Sequence, residues 1–343
     1  MAYVMLILAA AFWGGNYVVS RVLVFDVAPG LLAEAKWVIA SLFLLAIYHR
    51  SVVKEFRFFR QSFWRTSFLA LLGPVLFPTF LYIGVQYTTA VNASMFLAAS
   101  PAIVLLINTF LFKERITLLN IFGVLSSTIG VLFVLSQGHI SNVVGMHLGK
   151  GDLWALGSAI VWAVYVSFLR TKDKRMSVGG FTTITAMLGS LMQVPFALVD
   201  VNFHSMRLQS YVSLPVVLGV LFLALGPSLA SYMLWNKGVS IIGSTRAEIF
   251  THLIPFFGIA FSVIFLKTPL YIYDFIGGAF IISGIALSSR SVGRSPRNIH
   301  SKKSESVVID AQVTSLGSVP CCGKTDCQLV INCTDAQRNL SSP

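Results

Sequence analysis

The chain of 343 residues is 56% hydrophobic and only 11% charged, and carries a formal net charge of +12. Such a composition excludes an ordinary water-soluble domain: apolar runs of about 20 residues, the length a helix needs to cross a bilayer, recur from Ala2 to Ser289. Its cations crowd into short connections beside those runs and into the tail, which makes the lipid bilayer the natural partner and sets nucleic acid aside.

Spans are predicted at 2 to 24, 31 to 48, 66 to 86, 91 to 111, 117 to 136, 152 to 170, 179 to 199, 212 to 235, 244 to 266 and 271 to 289. Backbone amides must be satisfied inside hydrocarbon, and barrel strands would be shorter and alternate in polarity, so the expected class is all-α polytopic with ten transmembrane helices. The first span starts at Met1 but has no basic n-region, so it reads as a retained helix rather than a signal peptide. Its Trp13, Asn16, Tyr17 and Ser20 fall at i, i+3, i+4 and i+7, one helix face. Trp13 lies too deep in its span for an interfacial belt at 1.5 Å per residue, which favours a cavity wall. Span two brings Glu34 and Lys36 into membrane depth, where ionisable groups are costly and face protein or water. Lys36 either snorkels outwards or pairs with a carboxylate, Glu34 or one more distant.

The connection after span two holds Arg50, Lys54, Arg57, Arg60 and Arg65, and that after span six holds Arg170, Lys172, Lys174 and Arg175. The positive-inside rule then puts both termini in the cytoplasm of a multi-pass cell-membrane protein, the inner membrane if the source is bacterial. Span three offers Thr79, Tyr82 and Gln86, while spans four and nine each contain a proline, Pro101 and Pro255, predicted as mid-span hinges. In span six Ser158, Trp162 and Tyr165 form a second aromatic face, and span eight adds Ser228, Ser231, Tyr232 and Trp235, its serines read as helix-packing residues. Span nine carries Arg246, Glu248 and His252, with Glu248, His252 and Pro255 on one predicted face. A carboxylate four residues from an imidazole suits proton coupling or charge recognition.

After Arg290 the composition turns polar, and 291–343 reads as a disordered cytoplasmic tail whose basic start can meet anionic headgroups. Cys321, Cys322, Cys327 and Cys333 lack paired C-x-x-C units and a nearby His, so they read as reduced thiols rather than a metal site. The sequons at Asn332 and Asn339 are discounted in a cytoplasmic tail.

The spans repeat. With a shift of 154, Gly84 falls on Gly238, Ala93 on Ala247, Pro101 on Pro255, Lys113 on Lys267, Gly123 on Gly277 and Gly130 on Gly284; Trp13 falls on Trp162 with a shift of 149. Five spans are an odd number of crossings, so the second copy enters from the opposite side, the pattern of inverted-repeat secondary transporters. The copies are placed at 1–137 and 152–290, with a linker at 138–151.

Phe12-Trp13-Gly14-Gly15-Asn16-Tyr17, Ala99-Ser100-Pro101, Leu111-Phe112-Lys113-Glu114-Arg115, and, in the second half, Gly151-Asp152-Leu153, Trp162-Ala163-Val164-Tyr165 and Phe265-Leu266-Lys267 carry a resemblance. The chain resembles the EamA repeat of the drug/metabolite transporter superfamily over residues 2 to 289. The resemblance implies two inverted five-helix repeats, a pseudo-two-fold axis in the membrane plane and a central cavity used by alternating access. Two departures stand out against the family pattern: Lys36 where Arg is usual, and Thr268-Pro269 in place of Glu-Arg.

The expected function is secondary transport of a small organic metabolite: an amino acid, an amino-acid derivative, a nucleoside-like cofactor or a drug. A gradient, through a coupling proton, or exchange with a counter-substrate would drive it. Substrate binding is assigned to Trp13, Asn16, Tyr17, Tyr82, Trp162, Tyr165, Tyr232 and Trp235, and coupling or charge recognition to Lys36, Glu34, Glu248 and His252. No cofactor or metal is expected, since H-E-x-x-H, G-x-S-x-G and P-loop patterns are lacking. A membrane enzyme and a channel or scaffold are the alternatives, separated by turnover without solute movement and by unsaturable conductance.

Overall fold

Apolar segments with no water to bond must satisfy their amides internally, and every regular element among the described residues is helical. The computed structural model describes residues 1–114, 116–136, 138–139, 149–203, 213–266 and 271–290, all within one compact unit, Met1–Val292. The tail at 291–343 with its four cysteines, linker residues 140–148, and Arg115, Lys267, Thr268 and Pro269 lie outside the described residues.

Helix α1 covers Ala2–Leu23, α2 Pro29–Gln61, α3 Phe63–Tyr87, α4 Ala90–Phe110, α5 Leu118–Leu135, α6 Lys150–Thr171, α7 Val178–Phe203 and α8 Leu214–Ile242. A broken helix, α9, follows at 244–266, and α10 covers Ile272–Arg290. Among the described residues seven helices, α1 to α4 and α6 to α8, are long and apolar enough to cross a membrane; α5 and α10 contribute shorter apolar stretches, Leu118–Val134 and Phe275–Ser288.

Two expectations need correction. Run length ends span two at 48 with a basic connection behind it, yet the helix continues to Gln61 past an irregular residue, Tyr48 (φ −111°, ψ 15°). The physical reason is amphipathicity: Val52, Phe58 and Phe59 pack against the core, while Arg50, Lys54, Arg57 and Arg60 point away. Nor are Pro101 and Pro255 simple mid-helix kinks. A 3₁₀ turn, Leu97–Ala99 or Ile249–His252, interrupts each helix, and each proline stands in the first turn of the segment that resumes. There the missing N–H is no loss.

Spans three and eight hold a feature the periodicity does not announce. Each contains a π-helical turn, Leu71–Leu76 and Ala224–Ala230, built around Gly73-Pro74 and Gly226-Pro227. Proline cannot complete the α-helical ladder, and a wider turn accommodates it.

Matching helices of the two repeats pack against each other in opposite directions. In α2 and α7, Gly30 N–H bonds Asp200, Glu34 meets Ser190, and the Glu55 carboxylate accepts from Ser177 N–H. In α4 and α9, Ser100 meets Glu248 while Asn108 meets Ser244 and Thr245. The α5–α10 seam sets backbone against backbone: a Cβ on Gly123 would lie 2.7 Å from Gly284 O, and one on Gly130 would lie 2.6 Å from Gly277 O. Lipid gives helices no hydrophobic reason to associate, so backbone approach through glycine supplies van der Waals contact instead.

Candidate functional site

The aromatic residues singled out on α1, α6 and α8 converge. Trp13 and Trp162 meet edge to face with centroids 4.9 Å apart, Trp235 packs on them at 5.0 and 5.6 Å, and Tyr165 lies 5.3 Å from Trp162. Tyr232 touches the same rings at 5.9 and 6.1 Å. Offset and T-shaped contacts of this kind suit ring quadrupoles. The rings were expected as walls of an open cavity, but they interlock: Trp13, Trp162 and Trp235 are 4%, 1% and 0% exposed.

The two π turns hold this cluster in place. Trp13 Nε1 donates to Pro227 O at 3.0 Å, and the Tyr232 hydroxyl donates to Gly73 O at 2.9 Å. Each acceptor belongs to a Gly-Pro pair, where proline disturbs the helix ladder and leaves carbonyls to outside donors.

A polar chain adjoins the rings. Lys36 Nζ donates to Tyr82 Oη at 2.7 Å, and Tyr82 Oη donates to Asn16 Oδ1 at 2.9 Å, with all three residues buried. Tyr17, one residue on from Asn16, is also buried, its hydroxyl without a hydrogen bond among the described residues. The proposed Lys36–Glu34 pair does not form: Glu34 Oε1 instead accepts from Ser190 Oγ at 3.0 Å. Two residues apart within one helical turn, positions 34 and 36 point to nearly opposite faces, which is why they separate.

Glu248 and His252 are both 0% exposed, but they do not join as the predicted i, i+4 pair. The 3₁₀ turn between them changes the helix pitch. One Glu248 oxygen accepts from Ser100 Oγ, and the other has no hydrogen bond among the described residues. His252 Nε2 lies 2.9 Å from Ala98 O and is therefore the N–H donor, leaving Nδ1 without a hydrogen bond among the described residues. The serines split: Ser20, Ser158 and Ser228 bond carbonyls of their own helices, whereas Ser231 reaches Ala9 O on α1 at 3.3 Å. Thr79 bonds Gln193 on α7, and Gln86 reaches Val24 O.

One end of the bundle is closed by charge. Lys113 adopts φ 51° in the left-handed region, and Glu114 N–H bonds back to Asn108 O at 2.9 Å, an end to α4 that presents the Glu114 carboxylate. Arg170 Nη2 meets Glu114 Oε2 at 2.5 Å and Ser244 Oγ at 2.9 Å; Thr245 Oγ1 donates to Glu114 Oε1 at 3.0 Å. Gly243, at φ 84°, makes the tight turn that delivers Ser244 and Thr245 to this cluster. Nearby, hydrogen bonds from the Arg175 side chain and backbone hold the Asp173 carboxyl down to about 2, while burial lowers the Lys172 ammonium against the pull of Glu55 and Asp173. The other end is closed with fewer charges: Arg21 donates to Val85 O at 2.6 Å, and Thr88 Oγ1 to Asp152 Oδ1 at 2.9 Å.

Several cluster members escaped the residue pattern. Trp37 packs on Tyr232 at 4.9 Å and Phe77 on Trp162 at 4.9 Å; Asn236 accepts from Tyr165 Oη at 3.2 Å. Trp37 follows Lys36 and Asn236 follows Trp235, so adjacency to residues already chosen was the available signal.

The EamA-like transporter family matches residues 1–136 and 149–290 of this chain. Uncharacterized transporter YyaM of Bacillus subtilis (strain 168) is 24% identical over 86% of this chain and 95% of its own length. Uncharacterized transporter YetK of the same organism is 27% identical over 83% of this chain and 85% of its own length. A protein of known crystal structure superposes with a TM-score of 0.66 at 17% identity, covering 84% of this chain and 96% of that one, a likeness of fold.

Proposed function

This chain belongs to the EamA-like transporter family, and we propose from that premise that it works as a secondary carrier, moving a small organic metabolite by alternating access between two inverted halves. The observation that carries the reading is the meeting of Trp13 with Trp162, matching residues of the two repeats, in the middle of the molecule. In this reading the chain crosses the membrane ten times. Residues 1–137 and 152–290 form the halves, 138–151 the linker and 291–343 a cytoplasmic tail. Both termini face the cytoplasm, so the Glu114–Arg170 cluster closes the inner side.

The interlocked rings are the substrate's place, opened when the halves rock apart, and Asn16, Tyr17 and Tyr82 add polar contacts on one flank. The 3₁₀ turns before Pro101 and Pro255 are the hinges, since a non-α turn gives way more readily than a continuous helix. Glu248, with one oxygen unbonded among the described residues, takes the coupling proton, and His252 Nδ1 is a second acceptor on the same helix. A gradient or a counter-substrate supplies the energy.

The test is an uptake and efflux screen of metabolites with protein reconstituted in liposomes. Saturable movement is expected, reduced roughly tenfold to a hundredfold by Trp162→Ala, because several ring contacts worth about 1 kcal/mol each disappear. Unchanged transport in both Trp162→Ala and Trp13→Ala would remove the cluster from the site. Voltage-driven conductance without saturation would replace the carrier with a channel.

A further inference from the structure

We infer that the transported molecule is an organic anion, whose carboxylate or phosphate is received by Lys36; the inference rests on the carrier reading above.

Lys36 is 4% exposed and has three N–H donors, yet its one protein hydrogen bond among the described residues goes to the neutral Tyr82 hydroxyl. The rings of Tyr82 and Trp37 flank the ammonium at 4.6 and 5.7 Å. Among the described residues no carboxylate lies within ion-pair reach: Glu34 is taken by Ser190, and Glu248 by Ser100. A buried charge at membrane depth with donors to spare is expensive unless something completes it. An oxyanion brought by the substrate would do so, while the attached body stacks on the neighbouring aromatic cluster. The twofold relation singles out the same residue, since the position matching Lys36 in the second repeat is Thr185.

The approach to the cluster carries the same sign. At the charged end a cavity of about 550 Å³ is lined by Glu114, Arg170, Lys172, Lys174, Asn236 and Ser244. Glu114 is already engaged by Arg170 and Asp173 by Arg175, so with Glu55 the carboxylates at this end are outnumbered by the cations, Lys172 and Lys174 among them. Asn236, in that lining, is the residue that accepts the Tyr165 hydroxyl, which brings the cavity to the edge of the aromatic cluster. A second cavity of about 650 Å³ shares Lys172 and Lys174 and adds Lys237. Fields of one sign in a low-dielectric mouth concentrate ions of the other sign. A cationic substrate would be repelled on the way in. Glu248 gives a cation no better claim, because a carboxyl can become neutral by taking the coupling proton.

Four probes with one aromatic body test the inference: phenylacetate, phenyl phosphate, neutral phenylacetamide and cationic phenethylamine. Binding is measured by calorimetry on the full chain in detergent, and movement by counterflow in proteoliposomes. At least one anion should bind tenfold or more tightly than both the amide and the amine. Lys36→Gln should bring the anion and amide to within about threefold, and Lys36→Arg should keep the preference. Lys172→Gln/Lys174→Gln should raise the apparent KM for the anion offered from that side and flatten its dependence on salt. Failure of both anions to bind, equal affinity for all probes, tightest binding of the amine, or an anion preference that survives in Lys36→Gln would overturn the inference. An anion that binds through Lys36 but never moves would leave the anion site standing and sink the carrier reading.

Discussion

The α5–α10 seam and the aromatic centre are both places where a repeat meets its own copy, but they do so differently. At the seam the partners are interchangeable: Gly123 faces Gly284 and Gly130 faces Gly277, and a shift of 154 turns each pair into the other. At the centre Trp13 still meets Trp162, but the charges have no images, since Lys36 matches Thr185 and Glu248 matches Ser94. Symmetric contacts made of backbone can hold two halves in any solute's transporter. Unmatched charges cannot serve every solute, and they are where selection and coupling belong.

The comparison breaks most visibly at the seam. Gly277→Leu would drive a side chain toward Gly130 O, where even a Cβ stands at 2.7 Å, and backbone cannot yield as a side-chain tip can. A loss of about 3 kcal/mol is expected, seen as a lower unfolding temperature in detergent and poor recovery from membranes. Gly258→Ala is the control, because its Cβ would meet nothing nearer than Ser94 Oγ at 4.0 Å, and it should unfold like the parent. Equal behaviour of the two variants would deny the seam its role.

A middle-sized effect belongs to the centre. Glu248→Gln keeps the shape of the side chain and its bond to Ser100 while removing the titratable oxygen, so folding should persist and the pH dependence of transport should flatten. If the pH profile is unmoved, coupling lies elsewhere.

The smallest effect is expected at the charged end, on Asp173. Its carboxyl titrates at about 2 in the fold against an ordinary 3.8, so the folded state prefers the ionised form. That preference stabilises above the ordinary value and fades as pH falls from there through about 2. Asp173 is held by an exposed arginine, and Asp173→Asn should therefore change stability at neutral pH by less than about 1 kcal/mol. A stability difference from the parent that grows rather than shrinks on acidification would contradict the sign.

Hydrophobic run length placed the helix ends within a few residues where apolar sequence stops at a polar turn, as at Leu23 and Tyr87. It stopped short at Tyr48, because the helix beyond is amphipathic and basic, and a run-length reading ends when continuous apolarity ends. Face spacing put Trp162 with Tyr165, and Tyr232 with Trp235, on shared faces, since a regular helix preserves i, i+3 and i+4 neighbours, but the meeting of those faces with Trp13 lies between helices. It failed for Glu248 and His252, where a 3₁₀ turn replaces the regular helix. The Lys36–Tyr82–Asn16 chain joins three helices, and no local spacing records such a contact. Gly73-Pro74 and Gly226-Pro227 were visible as a repeated dipeptide, but the width of the turn they adopt was not.

Those two π turns also bear on sequence editing. A π turn is what an α-helix becomes when it absorbs one extra residue, so α3 and α8 each carry a one-residue surplus. Deleting a single residue there would relax the helix to its ordinary pitch without shortening its crossing by more than about 1.5 Å. Residues downstream would keep their register, so Tyr82 in one helix, and Tyr232 with Trp235 in the other, would still face the centre, whereas the same deletion in a regular stretch of either helix would rotate them by about 100°. A single-residue gap at either of these two places would therefore leave the same side chains at the centre, while a gap one turn away would not.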